Sequence, residues 1–396
     1  MAALKLSPEA DLVVRSALAV GDKDLLGDPP GEDLDWLAVG QIAEREKLLP
    51  ILWPALAGYH DLIPGPVAQA MERQTVVTEF RMATLEDQLR TVIRVLDDHD
   101  IPVMLMKGAA LALTVYGSFA RRPMGDLDIL VRAADAKRAW ELLHREGWTR
   151  EYEDAEEFYE EHQHLTPLVS PDGAGAIVEI HRCLLYPKGP FQLPEDEVWD
   201  AAAPVKVGGR TAWVPAPEHQ VLHAAIHYAW SHSLGRGLGR TVRDLGALLD
   251  TRQVEWDAVV ELARRTKSET CCYWTLRFTR NLGGVDVPRD VLARLAPRGP
   301  RLLTNSLERV LVAHSIDPVQ GVLPSVRLRH FVWERAIQPE SSGHGGVRPW
   351  KANAGWSDVV NSGPRPGVLR RLVGQLRRLP EWARLFRIAA GGRVAG

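Results

Sequence analysis

The chain has 396 residues, 45% hydrophobic and 25% charged, with a formal net charge of −3 at pH 7. That length supports two or three domains with a sizeable core, and the composition excludes a disordered or collagen-like chain. The small net charge gives no global reason to expect binding to nucleic acid or an anionic membrane, so no strong nucleic-acid signature is present.

Three cysteines, Cys183, Cys271 and Cys272, with no CxxC pair, argue against a disulfide scaffold or a zinc knuckle. No apolar run approaches the roughly 20 residues needed to span a bilayer. The opening "MAALKLSPEADLVVRSALAV" carries charges inside its apolar part and is a poor signal peptide. The expected location is therefore the cytoplasm, and the preference for arginine over lysine fits a bacterial gene of high GC content.

Residues 1–100 read as an N-terminal helical region. "SPEADLVVRSAL" offers a serine cap followed by proline at the first helical position. The stretch "EDLDWLAVGQIAEREKLLPILWPALAG" spaces Leu34, Leu37, Val39, Ile42 and Ala43 helically and ends at Gly58. A long third helix is expected from about Val67 to His99, with Val76, Phe80, Leu85, Leu89, Val92 and Leu96 on one stripe.

The pattern changes over 101–190. "IPVMLMKG" is a short apolar run that stops at Gly108 and reads as a buried strand, and "AALALTVYG" reads as a short helix. "DLDILV" is a second strand and "ADAKRAWELLHREGW" an amphipathic helix. "HLTPLVS" and "AIVEIHR" read as two further strands joined by the turn "PDGAG". This is an α/β (α+β) pattern with a small mixed sheet. Residues 191–337 read as mostly helical again. Residues 338–396 read as a loop rich in Gly, Pro and Ser followed by a basic amphipathic tail, interrupted at Pro380, whose simplest role is a solvated face.

Alternate strand residues project to one side, so Asp126 and Asp128 share a face. Two carboxylates that close repel unless one is protonated or a cation lies between them, and Mg²⁺ suits such oxygen ligands. Upstream, a strand ending in Lys107-Gly108 and opening into a helix presents backbone N–H groups to an anion, and a glycine there admits a phosphate closely. Downstream, Glu179 and His181 share a face of "AIVEIHR", so Glu179 is a candidate third carboxylate and His181 a candidate neighbour. Arg122 offers a fixed cation for phosphate. His219, His223 and His227 share a helix face and suit packing or an acceptor pocket better than a metal. His162 and His164 receive no role.

The run "KGAAL…Y…R…GDLDILV" followed by "VEIH" resembles the polymerase-beta-type nucleotidyltransferase superfamily, and more narrowly the bacterial group of uncharacterised nucleotidyltransferases. The likeness extends over roughly residues 30–265, through "DWLAVGQIAEREKLLPILWPAL" and "APEHQVLHAAIHYAWSH…RDLGALL". The resemblance implies a nucleotidyltransferase core flanked by helical regions. It implies two Mg²⁺ ions, with Mn²⁺ as a substitute, held by Asp126, Asp128 and Glu179. It also implies transfer of a nucleoside monophosphate from a nucleoside triphosphate, ATP being the expected donor, to a hydroxyl-bearing small molecule, protein or RNA end. The superfamily's Gly-Ser opening is replaced by Gly108-Ala109, which leaves phosphate to backbone N–H groups, Lys107 or Arg122. Two rival readings are a non-catalytic nucleotide- or partner-binding module of the same fold and a toxin-like enzyme that modifies tRNA.

Overall fold

The computed structural model describes residues 6–18, 31, 33–151, 159, 162–298, 301–316, 332–333, 336–337 and 379–391. The loop expected over 338–367 and the first part of the basic tail lie outside them.

Helix α1 (Pro8–Leu18) starts as its sequence dictates, with Ser7 Oγ accepting from Ala10 N at 3.2 Å. Helix α2 (Trp36–Arg45) is capped by Asp35, whose Oδ1 accepts from Leu37 N at 3.0 Å and Ala38 N at 3.1 Å. The sequence suggests one continuous element to Gly58, but the chain breaks at Lys47, which turns into the left-handed region at φ 56°. It then restarts as α3 (Leu49–Ala55) with Pro50 in the first turn.

Helix α4 (Gly65–Asp97) is the long helix expected. Its second half buries Leu85, Leu89, Val92 and Leu96 as foreseen, each worth about 1.5–3 kcal/mol of burial. Val76 and Phe80 depart from the expected stripe, being 59% and 72% exposed. The first half of α4 packs on α3 and buries Met71 and Thr75, whereas the second half packs on the sheet. One stripe therefore does not run the whole length.

The sheet combines β1 (Met104–Leu105), β2 (Leu127–Leu130), β3 (Thr149–Arg150), β4 (Leu168–Val169), β5 (Ile177–His181), β6 (Ala203–Val207) and β7 (Arg210–Val214) in the order β3-β4-β5-β2-β1-β7-β6. Strands β2 and β5 are parallel, as are β1 and β7, and the other neighbours are antiparallel. Helix α5 (Lys107–Thr114) follows β1 and α6 (Ala136–Arg145) follows β2. The β4–β5 turn is closed by Asp172, whose Oδ1 accepts from Ser170 Oγ at 2.6 Å and Ala174 N at 3.1 Å.

The β6–β7 hairpin is an exception within the mostly helical part expected after Pro190. Gly208 and Gly209 supply its two-residue turn with φ of 55° and 84°, the backbone that such tight hairpins require.

Alternation along the strands separates two cores. Leu127, Ile129, Val178 and Ile180 face one cluster built with α4 and α6. Met104 and Leu130 face the other, which also contains Leu12, Trp36, Val221 and Trp274. The N-terminal and C-terminal helices thus share one core on the second face of the sheet. Around it lie α7 (Glu195–Asp200), α8 (Pro217–Ile226), α9 (Leu238–Thr251), α10 (Trp256–Arg265), α11 (Glu269–Gly283), α12 (Arg289–Leu295) and α13 (Arg301–Ile316). The last described helix, α14 (Leu379–Ala389), begins with Pro380 in its first turn and buries Leu385 and Ile388 with Val310 and Ala313 of α13. No described helix is long and apolar enough to cross a membrane.

Candidate active site

A cavity of about 520 Å³ opens on the second face of the sheet, between the strand ends and helices α8 and α9. Asp128 and Glu179 enter it from adjacent parallel strands. Their Cα atoms are paired in register, and Leu130 is paired with His181 one pleat further on. Even-numbered positions of β2 and odd-numbered positions of β5 therefore face the cavity, and the intervening apolar residues fill the opposite core.

Asp128 is buried, and its Oδ1 accepts from Lys107 Nζ at 2.5 Å and His181 Nε2 at 2.9 Å. Burial opposes its charge, but Lys107 and His181 hold its pKa well below the usual carboxylate range. Glu179 Oε2 stands 3.5 Å from His181 Nε2 and 3.9 Å from His164 Nε2. His164 Nδ1–H donates to the Leu165 carbonyl at 2.8 Å, so its neutral ring keeps the Nε2 lone pair on the Glu179 side.

Asp126 sits just before β2, half-buried. Burial, then the charges of Asp128 and Glu179, push its pKa up to about 6. Three carboxylates facing one cavity, one of them resisting ionisation, form a donor set that a divalent cation suits. Donor atoms of Asp128, Glu179 and His181 lie within 4.8 Å of one another, close enough to hold an ion together. Asp126 is outside that tight group, which brings in His181 in its place.

Lys107 begins α5 with φ 47°, a conformation uncommon for a side chain that is not Asn or Asp. Its ammonium is engaged by Asp128 rather than free for a ligand. Gly108 lines the cavity, but a Cβ there would meet Met124 Sδ at 3.1 Å and Arg122 Nη1 at 3.2 Å. The crowding that calls for glycine thus comes from the Arg122–Met124 segment. Ala109 is buried behind it. Arg122 is also buried. Its Nε donates to Asp244 Oδ1 at 2.7 Å and its Nη1 to the Pro123 carbonyl at 2.7 Å.

His223 and His227 line the far wall, whereas His219 does not and stands 3.7 Å from Glu197. Burial pulls the His223 pKa down to about 3 and that of His227 well below its usual value, so both are neutral imidazoles. A single π-turn over His227–Ser231 follows, of the kind often found at functional sites.

Sequence reasoning did not find Lys47, Arg240, Gln220 and His232 in the cavity, nor His162 and His164, to which it gave no role. Local periodicity carries no signal for which helices meet, so these residues leave no trace in the sequence, unlike the strand carboxylates, the Lys107-Gly108 turn, Arg122 and the His223–His227 face.

A mixed sheet presenting acidic residues from adjacent parallel strands, under a cavity with basic walls, has the form of a nucleotidyl-transferring enzyme. The family model of the uncharacterised nucleotidyltransferases matches residues 32–284, which include every cavity residue named above. The chain belongs to that family and is a transferase of the nucleotidyl type. No curated protein matches it.

Proposed function

We propose that this protein transfers a nucleoside monophosphate from a nucleoside triphosphate, ATP in the first instance, to a hydroxyl-bearing acceptor, releasing pyrophosphate. The observation that carries the reading is the register of Asp128 with Glu179 across β2 and β5, with Asp126 beside them and a cavity of ligand size above. These three carboxylates would hold two Mg²⁺ ions, and His181 would add a nitrogen donor, one that Mn²⁺ accepts more readily, only by giving up the proton it donates to Asp128. Such ions, when bound, lower the pKa of an acceptor hydroxyl and neutralise charge on the departing pyrophosphate.

The chain's own residues position and screen. Lys107 keeps Asp128 ionised in a buried setting, and His181 fixes the orientation of that carboxylate. The neutral imidazoles of His223 and His227 give the far wall polar groups without charge, a surface suited to the base or the acceptor. Transfer then depends mainly on alignment and charge neutralisation.

The test is incubation of the protein with each α-³²P-labelled NTP, Mg²⁺ or Mn²⁺, and a cell extract. A labelled product that disappears with EDTA and with Asp128→Asn is the expected result. Folded protein that labels nothing under any combination would sink the reading.

A further inference from the structure

The cations first expected to meet phosphate are already engaged, Lys107 by Asp128 and Arg122 by Asp244. Two others are not. Lys47 and Arg240 both line the cavity, and neither makes an ion pair or side-chain hydrogen bond with a described residue. They lie 193 positions apart in the sequence, Lys47 in the turn after α2 and Arg240 in the first turn of α9.

A built latch brings them together. The carboxylate of Glu46 is buried and accepts from Gly237 N at 3.3 Å and Gly239 N at 2.8 Å, at the start of α9. Gly237 has φ 77°, and a Cβ on Gly239 would come within 2.9 Å of Leu48 Cδ1, so both glycines serve the close approach. The residue after Glu46 and the residue after Gly239 are the two cations. The left-handed turn at Lys47 directs its ammonium to the "GDLD" segment, where Nζ lies 3.1 Å from the position of a Cβ on Gly125.

This arrangement sets like charges near one another, with Asp126 drawing the pKa of both cations back up. After burial, the charge of Arg240 is the largest influence drawing the Lys47 pKa down, and Arg122 acts on both residues in the same direction. Like charges held together by a specific latch, beside the candidate metal carboxylates, call for a polyanion.

We infer that Lys47 and Arg240 form the binding site for the β- and γ-phosphates of the nucleoside triphosphate, in place of the missing Gly-Ser hydroxyl. The inference rests on the nucleotidyl-transfer reading and assigns the polyphosphate end of that cavity. The histidine wall is left to the base and acceptor.

The experiment is calorimetric titration of the full chain with Mg²⁺-tripolyphosphate, Mg²⁺-ATP and adenosine, using wild type, Lys47→Gln, Arg240→Gln and Lys47→Arg. Each charge-removing change should weaken tripolyphosphate and ATP about tenfold to a hundredfold and leave adenosine unchanged. Lys47→Arg should retain most of the affinity. Lys47 is exposed to the cavity, so Lys47→Gln tests the site even if Arg240→Gln fails to fold. Wild-type binding of ATP with undiminished binding by folded Lys47→Gln would overturn this assignment and leave the transfer reading standing. A wild type that binds neither ATP nor tripolyphosphate would overturn both.

Discussion

Arg122 and Asp244 form a buried ion pair that ties the sheet domain to helix α9, with Arg122 Nε 2.7 Å from Asp244 Oδ1. The same oxygen accepts from Tyr116 OH at 3.0 Å, and the Arg243 guanidinium lies 4.9 Å above the Tyr116 ring. Arg243 also donates to the carbonyls of Ala17 and Arg121, so one cluster joins α1, the segment before β2 and α9. The tyrosine, the arginine and the Arg-Asp pair that carry the family resemblance along the sequence meet here.

Removing one member should strand the other. Asp244→Ala leaves a buried guanidinium without its carboxylate, at an expected cost of about 3–5 kcal/mol. Tyr116→Phe should cost less, about 1.5–3 kcal/mol, one hydrogen bond to a charged group. Urea denaturation measures both, and the double change Arg122→Met/Asp244→Leu should recover most of the Asp244→Ala loss. An Asp244→Ala curve overlaying wild type would refute the clamp.

Much of the site's acidic side was legible in advance, because period-2 alternation is local. "DLDIL" and "IVEIH" each alternate apolar with chemically active residues, and the fold keeps that alternation in β2 and β5. The β6–β7 hairpin left a usable trace, an alternating run with Gly208-Gly209 at its centre. The basic side left none. Lys47 looks like a surface lysine at a helix end, and Arg240 like one of several arginines. Their meeting depends on Glu46 reaching across 193 positions to Gly239, a tertiary contact with no sequence period. The pairing of Arg122 with Asp244 leaves no local trace either, because the partner lies 122 residues away.

Lys107 acts as an internal counter-ion for Asp128, so it should compete with a metal there. Lys107→Met is expected to lower the stability of the metal-free protein by about 3 kcal/mol, since Asp128 then keeps only His181. Added Mg²⁺ or Mn²⁺ should raise the melting temperature of Lys107→Met more than that of wild type, because binding no longer displaces an ammonium. Thermal melts with and without metal check this. An equal or smaller metal response in the variant counts against competition.

Asp126 gives a pH signature. Its pKa in the folded protein is pushed up to about 6, against an ordinary value of 3.8. A raised carboxylate pKa means that the folded state binds its proton more tightly than the unfolded chain does. Stability from this group is therefore complete below about pH 4 and is lost as pH rises to about 6. Asp126→Asn should match wild type below about pH 4, then become the more stable of the two by about 3 kcal/mol well above pH 6, without metal. Mg²⁺ should erase that advantage by stabilising only the wild-type carboxylate. Chemical denaturation across pH 4–8 tests the sign, and an Asp126→Asn protein less stable than wild type at pH 7 would reverse the argument.

The Glu46 latch links stability to nucleotide affinity through one carboxylate. A carboxylate can accept from both Gly237 N and Gly239 N, whereas an amide offers one oxygen and turns an NH₂ toward the second donor. Glu46→Gln should therefore cost about 1–3 kcal/mol. It should also let Lys47 and Arg240 separate, relieving their repulsion and misplacing both charges. In a transfer assay, this predicts a KM for the nucleoside triphosphate raised about tenfold with a smaller change in kcat, since the candidate metal carboxylates of β2 and β5 stay in place. Gly239→Val should act in the same direction, because its side chain would collide with Leu48 and Glu46. A Glu46→Gln enzyme that is destabilised but keeps the wild-type KM would show that the latch holds the fold without setting the phosphate site.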